Sequence, residues 1–201
     1  MREFDRIVFA SGNAGKAREI GAMFGSSVEV LLQADLGIEA VEETGTTFAA
    51  NSLLKARHAA AVSGLPALAD DSGIEVDALD GAPGIYSSRY AGVEASDTDN
   101  VNKLLNALVD VPDEQRTARF RCVLTLIRDT HDPEPLIAEG CWEGHIAHSV
   151  SGEGGFGYDP VFIDGQSGIT AARLSSEQKN ARSHRGKALQ VLREMLVQER
   201  T

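Results

Sequence analysis

The sequence predicts an α/β fold, and three observations at its start carry that expectation. Residues 4–10 (FDRIVFA) form a short apolar run that stops at Ser-Gly-Asn, as a buried strand does when it meets a turn. Residues 14–24 then place Ala17, Ile20, Met23 and Phe24 at helical spacing. Residues 28–32 (VEVLL) read as a second strand, so strand, helix and strand follow one another within the first 32 residues. After a polar, acidic stretch at 33–46, residues 47–63 read as a helix with Thr46 or Thr47 as N-cap and Gly64 and Pro66 beyond its end. Residues 67–70 and 74–79 read as two strands around a Ser72–Gly73 turn. A helix follows at 97–109, a long alternating strand at 117–128, and one or two strands at 135–148, with Gly140 and Gly144 at bulges or turns. Ser175 with Gln178 three residues on matches a capping box, and 184–198 is amphipathic.

Composition narrows the class. In 201 residues there are 30 acidic and 19 basic side chains, a formal net charge of −11. The length suits one domain, of one body or two lobes around a cleft, and 42% hydrophobic against 24% charged residues supplies a substantial core. Nucleic-acid polymers and anionic membranes want a basic footprint, so neither is an expected partner. A small anion needs only a local positive site. The N-terminal residues lack the apolar run of a signal peptide, and no stretch approaches the roughly 18 apolar residues of a spanning helix. Cys122 and Cys141 are the only cysteines, read as buried thiols in strands rather than a disulfide framework. A soluble cytoplasmic protein is the expectation.

Five groups of residues carry candidate chemistry. The turn Ser11, Gly12, Asn13, Ala14, Gly15, Lys16 lies between the first strand and helix. A helix N-terminus offers unpaired N–H groups and a positive dipole end to a phosphate, with Lys16 adding a point charge. It is not a Walker A loop, because Ala10 and Ala17 stand where Gly and Ser/Thr are required. An ordinary glycine-rich turn is the alternative. Gly152-Glu-Gly-Gly-Phe-Gly157 satisfies G-x-G-x-x-G literally, yet it leads into Tyr158-Asp159-Pro160 and not into a helix, so the dinucleotide reading is rejected. A glycine loop that lets backbone approach a flat ligand remains, with Phe156 or Tyr158 to stack, or else a tight loop with core aromatics.

The acidic set comprises Glu42 and Glu43 in one loop and Asp70, Asp71, Glu75, Asp77 and Asp80 beyond it, with no Lys or Arg between Arg57 and Arg89. Carboxylates near a phosphate turn repel the ligand unless a divalent cation stands between them, and Mg²⁺ is the expected ion. In an extended strand Asp70 and Asp71 point to opposite faces, so one of them is expected to join a carboxylate of the 42–43 loop. Any one of these acids would serve equally as a solvated or turn-capping residue. Residues 173–193 invert the charge, with Arg173, Lys179, Arg182, Arg185, Lys187 and Arg193 against Glu177 alone, and they include His184. Asn51 and Lys55, four apart, share one face of an Ala/Leu-rich helix, for a local task or as a polar stripe.

Taken in order, SGNAGK (11–16), EETGTTFAANSLLKA (42–56), ADDSGIEVDALDGAPGIYSSRYAG (69–92), GGFGYDPVF (154–162) and EQKNARSHRGKAL (177–189) resemble the inosine/xanthosine triphosphate pyrophosphatase family over nearly the whole chain. Ser11 stands where Thr is usual and Gln178 where Glu is common; Ser11 keeps the hydroxyl. The resemblance implies hydrolysis of dITP, ITP and XTP to the monophosphate and pyrophosphate. It also implies Mg²⁺, a homodimer, and an elongated three-layer α/β fold: a long, twisted, mixed sheet in a single domain of two lobes around a central cleft. By motif position, Ser11 to Lys16 hold phosphates, Asp71 is the catalytic acid–base residue and a metal ligand, Ser72 lies beside it, and Glu42 is the second metal ligand. Phe156, Gly157, Tyr158 and Asp159 with His184 and Arg185 make the base pocket, and Lys179 contacts substrate. Lys16 and Lys55 would spread the triphosphate, and Arg185 with loop N–H groups would donate to the 6-carbonyl that adenine lacks. Another nucleotide or sugar-phosphate phosphatase, or a non-catalytic nucleotide sensor, are the rival readings.

Overall fold

The computed structural model describes residues 4–24 and 28–198, without the side chains of 22–24. Its elements are β1 (Arg6–Ala10), α1 (Ala14–Phe24), β2 (Glu29–Leu32), α2 (Phe48–Ser63), β3 (Ala67–Val76), α3 (Asp97–Ala107), β4 (Thr117–Ile127), β5 (Leu136–Ile146), β6 (Phe162–Asp164), α4 (Ser176–Arg182) and α5 (His184–Gln198). The strands form one sheet in the order β2-β1-β3-β4-β5-β6. β1 runs parallel to β2 and β3, whereas β5 and β6 are antiparallel, so the α/β class holds with a mixed sheet.

Local chemistry explains the helix limits. Thr47 caps α2, its hydroxyl accepting from the Ala50 N–H, and Gly64 closes it in the left-handed region at φ 68°. Ser175 and Gln178 form the expected capping box at α4, and Ser96 and Asp99 form another at α3. Two strand expectations change. The predicted Ser72–Gly73 turn is absent: β3 runs unbroken through both residues, with Gly73 buried inside it. Residues 136–146 are likewise one strand. Gly144 there serves close approach, since a Cβ would lie 2.2 Å from the Ile163 carbonyl oxygen and 2.6 Å from the Phe162 ring.

The chain divides into two compact units, and β3, β4 and β5 contribute residues to both. The first comprises Met1–Asp71, Cys122–Gly140 and Arg185–Thr201. Strand alternation sorts its core into two clusters. Ile7, Phe9 and Leu68 pack with Ile20 of α1 and Ala188, Leu189 and Leu192 of α5. Val8, Ala10, Ala67 and Ala69 pack with Ala56, Ala59 and Ala60 of α2. Met23 and Phe24, read as part of the α1 face, lie outside the described side chains.

The second unit, Ser72–Arg121 and Cys141–His184, has a core of its own. Ile74 and Val76 of β3 meet Leu104 and Leu108 around Phe120, Trp142 and Phe162. The Phe120 and Phe162 ring centres are 4.6 Å apart, and those of Trp142 and Phe162 are 5.0 Å apart. Cys122 is buried in β4 as expected, whereas Cys141 in β5 is only half-buried. Among the described residues no helix is long and apolar enough to cross a membrane.

Candidate active site

In the first unit the parallel register sets Ala10 of β1 opposite Ala69 of β3. The glycine-rich turn therefore leaves the carboxyl end of β1 where β3 carries Asp70 and Asp71, the place where open α/β sheets bind ligands. Asn13 caps α1, its Oδ1 accepting from the Lys16 N–H at 3.1 Å, and the Ser11 hydroxyl accepts from the Asn13 N–H at 3.2 Å. Gly12, Asn13 and Ala14 are exposed. Being first in the helix, the Ala14 and Gly15 N–H groups have no intrahelical acceptor.

Strand alternation then gives the two aspartates different neighbours. Asp70 shares the Leu68 face and pairs with Lys16 of α1 and with Arg185 of α5, whose Nε lies 2.7 Å away. The Cys122 thiol donates to its Oδ2 at 3.2 Å. Burial would raise Asp70, but Arg185 and Lys16 outweigh it and hold the carboxyl well below the ordinary value. Asp71 faces α2, where Lys55 Nζ lies 2.8 Å from Oδ1. Its Oδ2 is buried without a hydrogen-bond partner. Burial pushes the Asp71 carboxyl up and Lys55 only partly offsets that, so it is raised above its ordinary value. Burial pulls the Lys55 ammonium down, but Asp71 and Glu43 prevail and hold it above its ordinary value.

The same lysine contacts Glu43 Oε1 at 2.7 Å, whereas Glu42 is exposed. Glu43, not the Glu42 inferred from the motif, thus converges with Asp71 on one cation. Asn51 explains the loop's path: it is fully buried, and its Oδ1 accepts from the Gly45 N–H at 2.8 Å. A Cβ on Gly45 would meet that oxygen at 2.6 Å. The Asn51 Nδ2 is buried without a partner.

The second unit gathers the other predicted residues. Asp159 is buried, its Oδ2 2.6 Å from Lys179 Nζ and accepting from the Phe156 N–H at 2.8 Å. Lys179 Nζ stands 4.8 Å from the Phe156 ring centre. Gly155, at φ 76°, is required here because a Cβ would collide with Asp159 Oδ2 at 1.9 Å. The Gly157 N–H donates to Asp97 Oδ2 at 2.7 Å. Tyr158 is a core residue, not a stacking platform: it is buried and its hydroxyl donates to the Ser87 carbonyl at 2.8 Å. His184 is buried and stacks on Phe120 at 4.7 Å and 11°. Ser72, next to Asp71 on β3, is half-buried.

Arg185 departs most from expectation. It is 1% exposed and engaged with Asp70 and Glu19, so its guanidinium is a structural cation of the first unit. Sequence reasoning also missed Glu19, the single acid of α1, and Arg116. That buried guanidinium donates to the carbonyls of Leu108, Ile146 and Ala147 at 2.6, 2.9 and 3.0 Å, a role no local motif announces.

The donor set also bears on Mg²⁺. Magnesium is usually held by one or two carboxylates together with substrate phosphates. A buried carboxylate oxygen without a partner on Asp71, with Glu43 on the same lysine, fits an ion of that kind. Among the described residues no cluster of three or more His, Cys, Asp or Glu side chains forms a self-sufficient metal cage.

A glycine-rich β1–α1 turn beside an acid–lysine pair on a mixed sheet is the frame of an α/β protein suited to phosphate groups. Comparison with known proteins makes this specific. The Ham1 family model matches residues 7–195. A dITP/XTP pyrophosphatase of Pectobacterium atrosepticum is 54% identical over 192 residues, covering 95% of this chain and 98% of that one. The dITP/XTP pyrophosphatase of Shigella flexneri matches to the same extent. A solved HAM1 protein from Coxiella burnetii superimposes with a TM-score of 0.87 at 45% identity, covering 97% of this chain and all of its own. The Staphylococcus aureus Ham1 protein gives 0.84 at 42% identity, covering 96% and 99%. The chain belongs to the Ham1 family.

Proposed function

We propose that this chain hydrolyses non-canonical purine nucleoside triphosphates of the dITP, ITP and XTP type to the monophosphate and pyrophosphate, clearing them from the nucleotide pool. The observation that carries the reading is Asp71: a buried carboxyl, raised above its ordinary pKa, paired through one oxygen with Lys55 and with the other unpartnered. A base with a pKa moved toward neutrality, beside a turn that suits phosphate, fits general-base hydrolysis. Asp71 takes a proton from the attacking water as its oxygen bonds to the α-phosphorus and the α–β anhydride bond breaks, releasing pyrophosphate. Lys16 and the Ala14 and Gly15 N–H groups face the negative charge of the polyphosphate. Asp71 and Glu43 would hold Mg²⁺, which supplies electrostatic stabilisation of the phosphate oxygens when bound. Lys179 and His184 are donors suited to a 6-carbonyl and mismatched to the amino group of adenine. A cytoplasmic homodimer belongs to the same reading.

A panel of nucleoside triphosphates with Mg²⁺, scored for pyrophosphate, tests it. Pyrophosphate from dITP, ITP and XTP well above that from ATP is expected, lost on chelation and reduced about 10³-fold or more in Asp71→Asn. Stepwise orthophosphate would indicate a phosphatase instead, and Mg²⁺-independent binding without turnover a sensor. Near-normal turnover by folded Asp71→Asn would remove Asp71 from the mechanism.

A further inference from the structure

One buried acid of the second unit has no part in the reading above. Asp164, at the end of β6, is 1% exposed. Its Oδ1 accepts from the Trp142 indole N–H at 2.8 Å. Its Oδ2 accepts from the Ser167 N–H at 3.0 Å and hydroxyl at 2.7 Å, and from Arg182 Nη1 at 2.8 Å. One carboxylate therefore ties down two side chains that border the base-recognition residues. Arg182 ends α4, three residues after Lys179 and two before His184. Trp142 lies nearly parallel to the His184 ring, with centres 6.4 Å apart at 18°.

We infer that Asp164 is a positioning residue for purine recognition, holding Lys179 through Arg182 and His184 through Trp142. The inference rests on the functional reading above, which assigns Lys179 and His184 to the base. The geometry favours such a role over simple stability. α4 has seven residues and is held by two ion pairs, Lys179–Asp159 and Arg182–Asp164, so its placement depends on both. Depression of the Asp164 carboxyl to about 2, against burial and by its bonds to Trp142, Ser167 and Arg182, shows a fully ionised acceptor at neutral pH. An amide cannot reproduce it: in Asp164→Asn the new NH₂ must face either the indole N–H or the Ser167 and Arg182 donors.

The test uses Asp164→Asn, Arg182→Met and Arg182→Lys, each checked for folding by circular dichroism and melting. Trp142 is the chain's single tryptophan, so intrinsic fluorescence reports on this site alone. With dITP and Mg²⁺, Asp164→Asn and Arg182→Met should raise KM about tenfold and leave kcat within about twofold. Arg182→Lys should recover most of that loss. Trp142 emission should shift in free Asp164→Asn, and the change on adding dITP should shrink in both disrupted variants. Folded variants with wild-type KM and emission would overturn the inference, as would a fall in kcat at unchanged KM. If the wild-type protein releases no pyrophosphate, the functional reading fails by itself; the emission of free Asp164→Asn still decides whether the carboxylate sets the indole.

Discussion

Asp70 and Asp71 are identical side chains on adjacent residues, and the pleat of β3 gives them opposite titration behaviour. Asp70 meets Arg185 and Lys16 and stays ionised, whereas Asp71, with Lys55 on one oxygen, is raised. Removing Arg185 leaves the buried Asp70 carboxylate with Lys16 as its remaining ion-pair partner, so Arg185→Ala should lower the unfolding free energy by about 3–5 kcal/mol in a denaturant titration. A loss below about 1 kcal/mol would deny Arg185 that structural role. Lys55 is the main cation opposing the rise at Asp71. A base works only when ionised, so activity falls as pH drops through the Asp71 pKa, and Lys55→Met should move that acid limb of kcat/KM to higher pH. An unmoved limb in the folded variant would show that another group sets it. Local spacing placed Lys16 on the turn and Lys55 on a helix face, whereas the preference for Asp71 over Asp70 came from the family resemblance. Sequence reasoning chose Glu42 over Glu43 because nothing in two consecutive glutamates tells which one the loop turns inward.

At the scale of elements, caps and periodicity were legible. Ser175 with Gln178 marks the start of α4, and the alternation of β1 divides Ile7 and Phe9 from Val8 and Ala10. Glycines misled, because the same residue type serves turns and close packing. Gly73 looks like a turn and lies inside β3, and Gly144 looks like a bulge and makes room for β6. Gly45 is a third case. A Cβ there would lie 2.6 Å from Asn51 Oδ1 and 2.8 Å from Ala50 Cβ, in the loop that delivers Glu43. Gly45→Ala should destabilise the fold by about 1–3 kcal/mol and lower Mg²⁺-dependent kcat/KM by about tenfold or more. Full activity in that variant would detach the Glu43 loop from catalysis.

For the whole molecule, the net charge of −11 does not show which charges are paired. The basic excess of 173–193 reads as a ligand patch in sequence, yet Lys179, Arg182 and Arg185 are set on Asp159, Asp164 and Asp70. Such pairs make stability depend on acid. A carboxyl whose folded pKa is depressed contributes above its unfolded value and loses that contribution as pH falls through the folded one. For Asp164 that interval runs from 3.8 to about 2, and Asp70 acts in the same sense. Asp71, raised on folding, acts in the opposite sense and loses its contribution as pH rises. The urea midpoint should therefore decline between about pH 4 and pH 2, with a shallower decline in Asp164→Asn; equal slopes would deny Asp164 its share. Periodicity, caps and five ordered motifs, all short-range properties of the chain, were enough to establish the α/β class, the helices and the family. The partner of each charge was not among them. Whether Asp70 or Asp71 meets Arg185, whether Glu42 or Glu43 meets Lys55, and whether Arg185 is a ligand donor or a buried strut depend on which helix covers which sheet face, and packing sets that, between residues 12 apart for Glu43 and Lys55 and 115 apart for Asp70 and Arg185.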